Sequence, residues 1–209
     1  MSPGRKASGS PSEGSPLERP VSEGPPSETA AGDPEAQARR ICLRLLTAAP
    51  RTRAELAAAL HRRGVPAEAA EAVLERFTDV GLIDDAAFAR AWVESRHYSR
   101  GLSRRSLSAE LRQHGVDTEE IREAVSTLDP EQEVATARRL VEQKMAATRG
   151  QPPEARIRRA AGALARKGYP PGLVFRLIKE VLEQEGTTGF ELDADQYLDP
   201  DSDPDGAIG

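Results

Sequence analysis

Few side chains in this chain of 209 residues have the types and spacing that catalysis needs. The histidines are His61, His97 and His114, and Cys42 is the single cysteine. None of them has the spaced partners of a Ser-His-Asp or Cys-His arrangement, and neither a Gly-x-x-x-x-Gly-Lys loop nor a His-Glu-x-x-His helix occurs. One cysteine forms no intramolecular disulfide and no thiolate cluster for zinc. We therefore expect no catalytic residue, no metal and no cofactor, and predict that the chain is not an enzyme.

Basic side chains offer a different chemistry, the binding of anions. One cluster comprises Arg96, Arg100, Arg104, Arg105 and Arg112. A second comprises Arg138, Arg139, Lys144, Arg149, Arg156, Arg158, Arg159, Arg166 and Lys167. Guanidinium groups bind phosphates and carboxylates through two parallel hydrogen bonds. A solvated helix face is the alternative for the second cluster, and the sequence leaves that choice open.

Charge is distributed unevenly along the chain, which has a net charge of −5. Residues 39–185 carry 26 Lys or Arg and 21 Asp or Glu, whereas residues 186–209 carry seven acidic side chains and no basic one. A mildly basic core with an acidic tail favours polyanions or acidic protein surfaces as partners. One hypothesis is that the tail folds over the basic face and competes with the partner, so that deleting residues 186–209 would tighten binding at low salt.

The first basic cluster begins in the last turns of a helix that the sequence predicts to start near residue 85. Asp84 or Asp85 is suited to cap its N-terminus. Phe88 and Trp92 are one turn apart, and Arg96 and Arg100 continue the same row. Ser103 predicts the N-cap of the next helix. The basic cluster therefore spans a junction between two helices.

A repeat of about fifty residues organises the rest of the core. Aligning Gly64, Gly115 and Gly168 places apolar residues in the same columns: Leu60, Leu111 and Leu164 four residues before each glycine, and Val65, Val116 and Tyr169 one after. Capping boxes at Thr52-x-x-Glu55 and Asp117-x-x-Glu120 mark further helix starts. Helices are predicted at 34–48, 53–63, 67–79, 85–99, 104–114, 118–128, 131–148, 154–167 and 171–185.

These patterns predict an all-α fold of three tandem three-helix repeats. We expect neighbouring repeats to stack into an elongated, curved, right-handed or solenoid-like body, flanked by disordered tails, because one repeat alone buries little apolar surface. The predicted domains are a Pro/Ser/Gly-rich arm at 1–38, repeats at 39–84, 85–129 and 130–185, and an acidic tail at 186–209. An extended surface favours binding over catalysis.

Sequence-specific DNA reading is one class of binding that the pattern favours weakly. Two short helices joined by a glycine turn are similar to a helix-turn-helix. The helices after the glycine turns begin, however, with acidic or apolar residues rather than with the Asn, Gln or Arg that contact base edges. Acidic residues at these helix starts would repel phosphate, and apolar ones would make no hydrogen bonds to the bases.

A family resemblance lies in the stretch around the first cluster. The order Gly81-Leu82-Ile83-Asp84-Asp85, Phe88-Ala89, Trp92, Arg96 and Gly101, followed by the Leu111-Arg112-Gln113-His114-Gly115-Val116 turn, resembles the signature of the RecX family of bacterial recombination regulators. The resemblance covers about residues 39–185 and leaves both tails outside.

The resemblance implies a regulator of RecA, the recombinase that polymerises on single-stranded DNA and hydrolyses ATP. Family members are elongated helical proteins that lie in the groove of the RecA–DNA filament and commonly suppress ATP hydrolysis, strand exchange and co-protease activity. It implies a role in DNA repair, DNA recombination and the SOS response. A cytoplasmic monomer without a membrane segment is expected.

The resemblance also assigns roles to residues. Asp84, Asp85, Phe88 and Trp92 are expected at the junction of the first two repeats, with Gly64, Gly115 and Gly168 as further structural positions. Partner contact is expected from Arg96, Tyr98, Arg100, Arg104, Arg105 and Arg112. Contact with nucleic acid or the filament is the weaker expectation for Arg138, Arg139, Lys144, Arg156, Arg158 and Arg159.

A second function fits the same residues, that of a helical protein that binds nucleic acid directly and needs no recombinase. Such a protein should lose affinity for bare DNA steeply as salt is raised. The sequence alone does not separate it from a filament regulator that also binds DNA weakly.

Overall fold

The computed structural model describes residues 33–186, and all nine regular elements in that range are α-helices. They are α1 (Pro34–Ala48), α2 (Arg53–His61), α3 (Ala67–Asp79), α4 (Asp85–Arg100), α5 (Arg104–Gln113), α6 (Thr118–Ser126), α7 (Pro130–Ala147), α8 (Pro153–Ala165) and α9 (Pro171–Gln184). We call α1–α3 repeat 1, α4–α6 repeat 2 and α7–α9 repeat 3. The all-helical prediction is confirmed for this range. The predicted acidic tail lies outside it apart from Gly186, and so does the arm apart from residues 33–38.

Local side-chain capping sets most of the helix starts. The Asp84 carboxylate accepts the N–H of Ala87 at 2.7 Å, and the Ser103 hydroxyl accepts that of Ser106 at 3.3 Å. Asp33 caps α1, where Pro34 occupies the first turn and needs no N–H partner. Helix α1 therefore begins inside the range that the sequence assigned to the arm. The remaining domain boundaries stay predictions.

The three aligned glycines end the second helix of each repeat in the same way. Gly64, Gly115 and Gly168 have φ of 70°, 75° and 82°. The residue after each glycine donates its N–H to the aligned leucine carbonyl at 3.2 Å in all three repeats, for example from Val65 to Leu60. This is the Schellman closure that a left-handed glycine permits. It shortens α2, α5 and α8 by one or two residues relative to prediction, because the last turn tightens into i to i−3 bonds.

Each repeat has a hydrophobic core of its own. Leu56, Leu60 and Leu74 lie in the core of repeat 1, Leu107 and Leu111 in that of repeat 2, and a larger core in repeat 3 is built from α7, α8 and α9. Within residues 33–186, the extensive helix packing lies inside the repeats. Each trio already buries its own leucines, so a repeat does not need a neighbour to form a core.

Candidate interaction surface

The row of side chains on α4 forms an aromatic cluster that also includes His114. The rings of Phe88 and Trp92 stack with centroids 5.5 Å apart, and the His114 ring meets Trp92 edge-on at 4.2 Å. Trp92 donates its Nε1–H to Oε2 of Glu110 at 2.8 Å, which satisfies its polar atom. The Arg96 guanidinium lies 4.1 Å above the Trp92 ring, within cation–π range. Arg96 therefore has an internal partner.

The junction of repeats 1 and 2 is polar. Thr52, which is fully buried, caps α2 and donates its hydroxyl to the His114 carbonyl at 2.6 Å. Glu55, the other half of the predicted capping box, turns away to the Nδ1 of His114 at 2.8 Å. A Cβ on Gly115 would overlap the Cβ of Ala54. Backbone from repeat 2 thus lies directly against the first turn of α2.

Asp85 closes the same junction from the side of α4. Its Oδ1 accepts the backbone N–H of Arg53 at 2.9 Å. Burial raises the pKa of the Asp85 carboxyl, while the Arg53 N–H and charge act in the opposite direction. The pKa of Glu120 is raised too, first by burial and then by the Asp85 charge. Asp85 thus contacts repeat 1 directly, whereas the Asp84 carboxylate caps its own helix, α4.

The junction of repeats 2 and 3 repeats the first one with other residues. Here the Gly168 turn lies against α5, where a Cβ on Gly168 would overlap the hydroxyls of Ser103 and Ser106. The N–H of Ser103 bonds to the carbonyl of Lys167 at 2.9 Å, in the column that His114 occupies in repeat 2. The Lys167 ammonium bonds to the carbonyl of Arg100. Two of the three aligned glycines are therefore contact points between repeats.

Arg104 belongs to this second junction. Its backbone N–H bonds to Oε1 of Glu133 at 2.9 Å, as Arg53 does to Asp85, and its Nε lies 3.4 Å from the other carboxylate oxygen. The Nε–O approach is within ion-pair distance but is not an aligned hydrogen bond. The guanidinium of Arg104 is thus engaged between repeats, a role that the sequence did not indicate.

Buried polar side chains complete the second junction. Tyr169 donates its hydroxyl to the carbonyl of Gly101 at 3.0 Å, and burial, with a smaller contribution from the Glu133 charge, raises the pKa of Tyr169 to about 12. His97, only 6% exposed, contacts the Leu102 carbonyl at 2.9 Å and the Thr136 hydroxyl at 3.1 Å through its two ring nitrogens. No local sequence pattern predicts these contacts of His97, since both partners lie outside its own helix.

The predicted partner-binding residues fall into two groups. Arg96 and Arg104 are held by contacts within the protein. Tyr98, Arg100, Arg105 and Arg112 are exposed, and none of their side chains makes a hydrogen bond or ion pair with another described residue. Tyr98 is 88% exposed. It is two residues away from both Arg96 and Arg100, and a spacing of two residues turns a side chain by about 200° around the helix axis, so Tyr98 lies on a different side of α4. The structure therefore does not bring the six together on one face.

The second basic cluster is also divided. Arg156 is buried and bonds to the Met145 carbonyl at 3.0 Å and to a Glu185 carboxylate oxygen at 2.7 Å, so it is part of the repeat 3 core. Arg138 is paired with Glu180 at 2.5 Å, and Arg159 with Gln151. Four side chains of the cluster remain exposed without a hydrogen-bond or ion-pair partner among the described residues: Arg139, Lys144, Arg158 and Arg166.

No group of three or more His, Cys, Asp or Glu side chains in residues 33–186 is arranged to hold a metal ion. In the same range no helix is long and apolar enough to cross a membrane. The most evident chemistry of the described surface is that of unpaired guanidinium groups. Tandem three-helix repeats with such a surface define a class of helical repeat protein suited to binding anionic or acidic partners.

Comparison with known proteins identifies the family. Models for the first, second and third three-helix domains of RecX match residues 38–77, 84–125 and 131–178. The regulatory protein RecX of Thermobifida fusca strain YX is 61% identical over 164 residues, covering 78% of this chain and 89% of that protein. That of Streptomyces coelicolor is 60% identical over 154 residues, covering 74% and 82%. The chain belongs to the RecX family.

Solved structures agree with this assignment. A crystal structure of regulatory protein RecX superposes with a TM-score of 0.64 at 26% identity, covering 71% of this chain and 74% of that one. RecX from Lactobacillus salivarius superposes with the same TM-score of 0.64 at 17% identity, covering 71% and 97%, which shows the common fold. The predicted resemblance and the three-repeat architecture are confirmed.

Proposed function

We propose that this protein regulates RecA by binding the RecA filament on single-stranded DNA and inhibiting its ATP hydrolysis, strand exchange and co-protease activity. It acts by contact, as a cytoplasmic monomer, and catalyses no reaction itself. Membership of a family whose members are named regulatory proteins supports a regulatory role. The proposed contact with the filament is inferred from exposed side chains on the surface of repeat 2.

The observation that carries this proposal is the unpaired arginines at both ends of the turn between α4 and α5. Arg100 and Arg105 flank residues 101–104, and Arg112 lies further along α5. All three are exposed, and no described acidic side chain neutralises them. Such guanidinium groups are available for carboxylates of a protein filament or for phosphates of its DNA.

Hydrogen bonds at the junction of repeats 2 and 3 hold this surface in place. Gly101 is held by the Tyr169 hydroxyl, and Ser103 by the Lys167 carbonyl. The turn that presents Arg100 and Arg105 is therefore fixed to repeat 3 by hydrogen bonds on both sides. Arg104 contributes by holding Glu133, and we assign it a positioning role rather than direct contact.

Direct binding to nucleic acid is the second candidate, favoured by the exposed and unpaired Arg139, Lys144 and Arg158 in repeat 3. The two functions differ in salt dependence. A protein that neutralises Z phosphates of single-stranded DNA loses affinity with a slope of about −0.7Z in log salt. Carboxylates on a protein surface lack the condensed counterions of DNA, so contact with a protein filament depends less steeply on salt.

The test compares binding to bare single-stranded DNA and to the same DNA coated with RecA, over a series of salt concentrations. The proposal predicts tighter binding to the coated DNA at every salt concentration and a shallower salt slope. Equal affinity for both, or binding that RecA weakens, would overturn it in favour of direct nucleic-acid binding.

A further inference from the structure

A groove of about 820 Å³ lies between α4, the end of α6 and the first half of α7. Val93 and Leu128 contribute apolar surface, and the exposed ring of Tyr98 stands at its edge. Arg90 and Arg139 also line it, one from each side. The volume suits several side chains of a peptide rather than one small ion.

Polar atoms deep in the groove are satisfied within the protein. His97 bonds through its two ring nitrogens to the Leu102 carbonyl and the Thr136 hydroxyl, so neither ring nitrogen needs a partner from a ligand. An occupant can therefore bury apolar side chains there without leaving a donor or acceptor unpaired. This favours a peptide with aromatic or aliphatic anchors.

The lining of the groove has a net positive charge. Arg90 and Arg139 are exposed and have no ion-pair or hydrogen-bond partner among residues 33–186, while Glu94 is the one acidic side chain that lines the groove there. Acidic groups beside the apolar anchors would match these two guanidinium groups.

A segment of this composition follows α9 in the same chain. Residues 186–209 contain seven acidic side chains and no basic one. Phe190 and Leu192 alternate with acidic residues, and Tyr197 and Leu198 form an adjacent apolar pair a few residues further on. Aromatic anchors among carboxylates are what the groove would bind.

The chain is long enough to reach the groove. Arg156 bonds both Glu185 and the Met145 carbonyl, which places the end of α9 beside the end of α7. From Met145 back to Gln132 at the groove is about 20 Å along the helix. The extended chain from Gly186 to Tyr197 spans up to about 36 Å. Phe190 reaches up to about 14 Å from Gly186, against about 9 Å along α7 from Met145 to Arg139 at the near end of the groove.

We propose that residues 190–198 dock in this groove, with their apolar side chains against Val93 and Leu128 and their carboxylates at Arg90 and Arg139. The docked segment covers Tyr98 and competes with any acidic ligand for Arg139. This adds an intramolecular regulation to the protein and is tested without RecA or DNA, so its failure is separate from that of the proposed function.

The experiment places a nitroxide on the tail of the full chain through Ser202→Cys and records amide peak intensities by NMR. Cys42 is fully buried, and burial raises the pKa of its thiol, so the reagent modifies the introduced position. We expect the amides of Val93 and Ala135 to lose intensity, whereas those of Leu56 and Val73 in repeat 1 keep theirs. Equal losses in both regions, or no loss, would overturn the docking.

Two controls define the occupant. Arg90→Glu combined with Arg139→Glu should restore the groove intensities in the labelled chain, and continued loss would contradict the assigned charge contacts. A mixture of isotope-labelled chains without nitroxide and unlabelled chains with it should show no loss. Loss in that mixture would identify a second copy as the occupant and overturn the intramolecular proposal.

Discussion

Gly115 and Gly64 occupy the same position in two repeats but have different surroundings. Both have positive φ, which costs an L-residue roughly 1–2 kcal/mol. A Cβ on Gly64 would meet nothing within 4 Å, whereas one on Gly115 would overlap Ala54. At Gly115 the glycine therefore serves both the turn and the contact between repeats.

The matched substitutions Gly64→Ala and Gly115→Ala separate these two effects. We expect Gly64→Ala to lower the free energy of unfolding by about 1–2 kcal/mol. Gly115→Ala should cost about 1–3 kcal/mol more, because the backbones at the junction must move apart. Urea denaturation measures both, and equal losses would show that the close approach to Ala54 contributes nothing.

Two aromatic side chains on α4 differ in how deeply they are buried. Phe88 is half-buried in the stack with Trp92, whereas Tyr98 is 88% exposed. A fully buried phenylalanine would cost about 3–5 kcal/mol on truncation, and partial exposure reduces this to about 1–3 kcal/mol for Phe88→Ala. Tyr98→Ala should change stability by less than about 0.5 kcal/mol. Thermal denaturation of both variants checks this, and a larger loss from Tyr98→Ala would be the contrary result.

Between elements, Tyr169 joins repeat 3 to the turn that presents Arg100 and Arg105. Its pKa is raised from 10.0 to about 12 in the folded protein, because burial disfavours the phenolate. The folded state therefore holds this proton more tightly than the unfolded chain. Its contribution to stability is fully present below pH 10.0 and is lost as the pH rises through about 12.

Urea denaturation of the wild type and of Tyr169→Phe at several pH values between 10.0 and about 12 tests this linkage. We expect stability to fall more steeply with pH in the wild type than in the variant, because the variant has no phenol to titrate. Other groups titrate equally in both proteins and cancel in the comparison. Parallel curves would mean that Tyr169 does not hold its proton at the junction.

Helix starts could be predicted from sequence, but the contacts between repeats could not. Asp84, Ser103 and Thr52 act as caps because a cap depends on residues two or three positions away. The Thr52 bond to the His114 carbonyl joins residues 62 apart, and no local pattern indicates it. Likewise the engaged state of Arg104 depends on where α7 places Glu133, so the sequence grouped Arg104 with the exposed arginines.

One local signal of the junctions was present in the repeat alignment. His114 and Lys167 both immediately precede an aligned glycine, and both use their carbonyls to bind the preceding repeat. Because every residue has a carbonyl, this signal lies in the position of the column beside the glycine turn and not in its residue types. The apolar columns themselves predicted the three cores correctly, because burial of Leu60, Leu111 and Leu164 follows from helical period alone.

At the scale of the whole molecule, residues 33–186 form three bundles that are joined by hydrogen bonds and close glycine contacts rather than by a common core. These junctions connect neighbouring repeats, while the hydrophobic core of each bundle is built from its own leucines. The surface that we assign to partner contact lies beside the second junction. Its guanidinium groups at Arg100 and Arg105 can be removed without removing any described side-chain contact.

The most direct test of the account is RecA's ATP hydrolysis on excess single-stranded DNA during titration with this protein. The wild type, Arg100→Ala with Arg105→Ala, and a control with the same charge change in repeat 1, Arg44→Ala with Arg76→Ala, are compared at equal concentrations. We predict inhibition by the wild type at less than one molecule per RecA, inhibition of similar strength by the control, and clearly weaker inhibition by the Arg100/Arg105 variant. Full inhibition by that variant, in a protein as stable as the wild type, would contradict the assigned contact, and no inhibition by the wild type would contradict the proposed function.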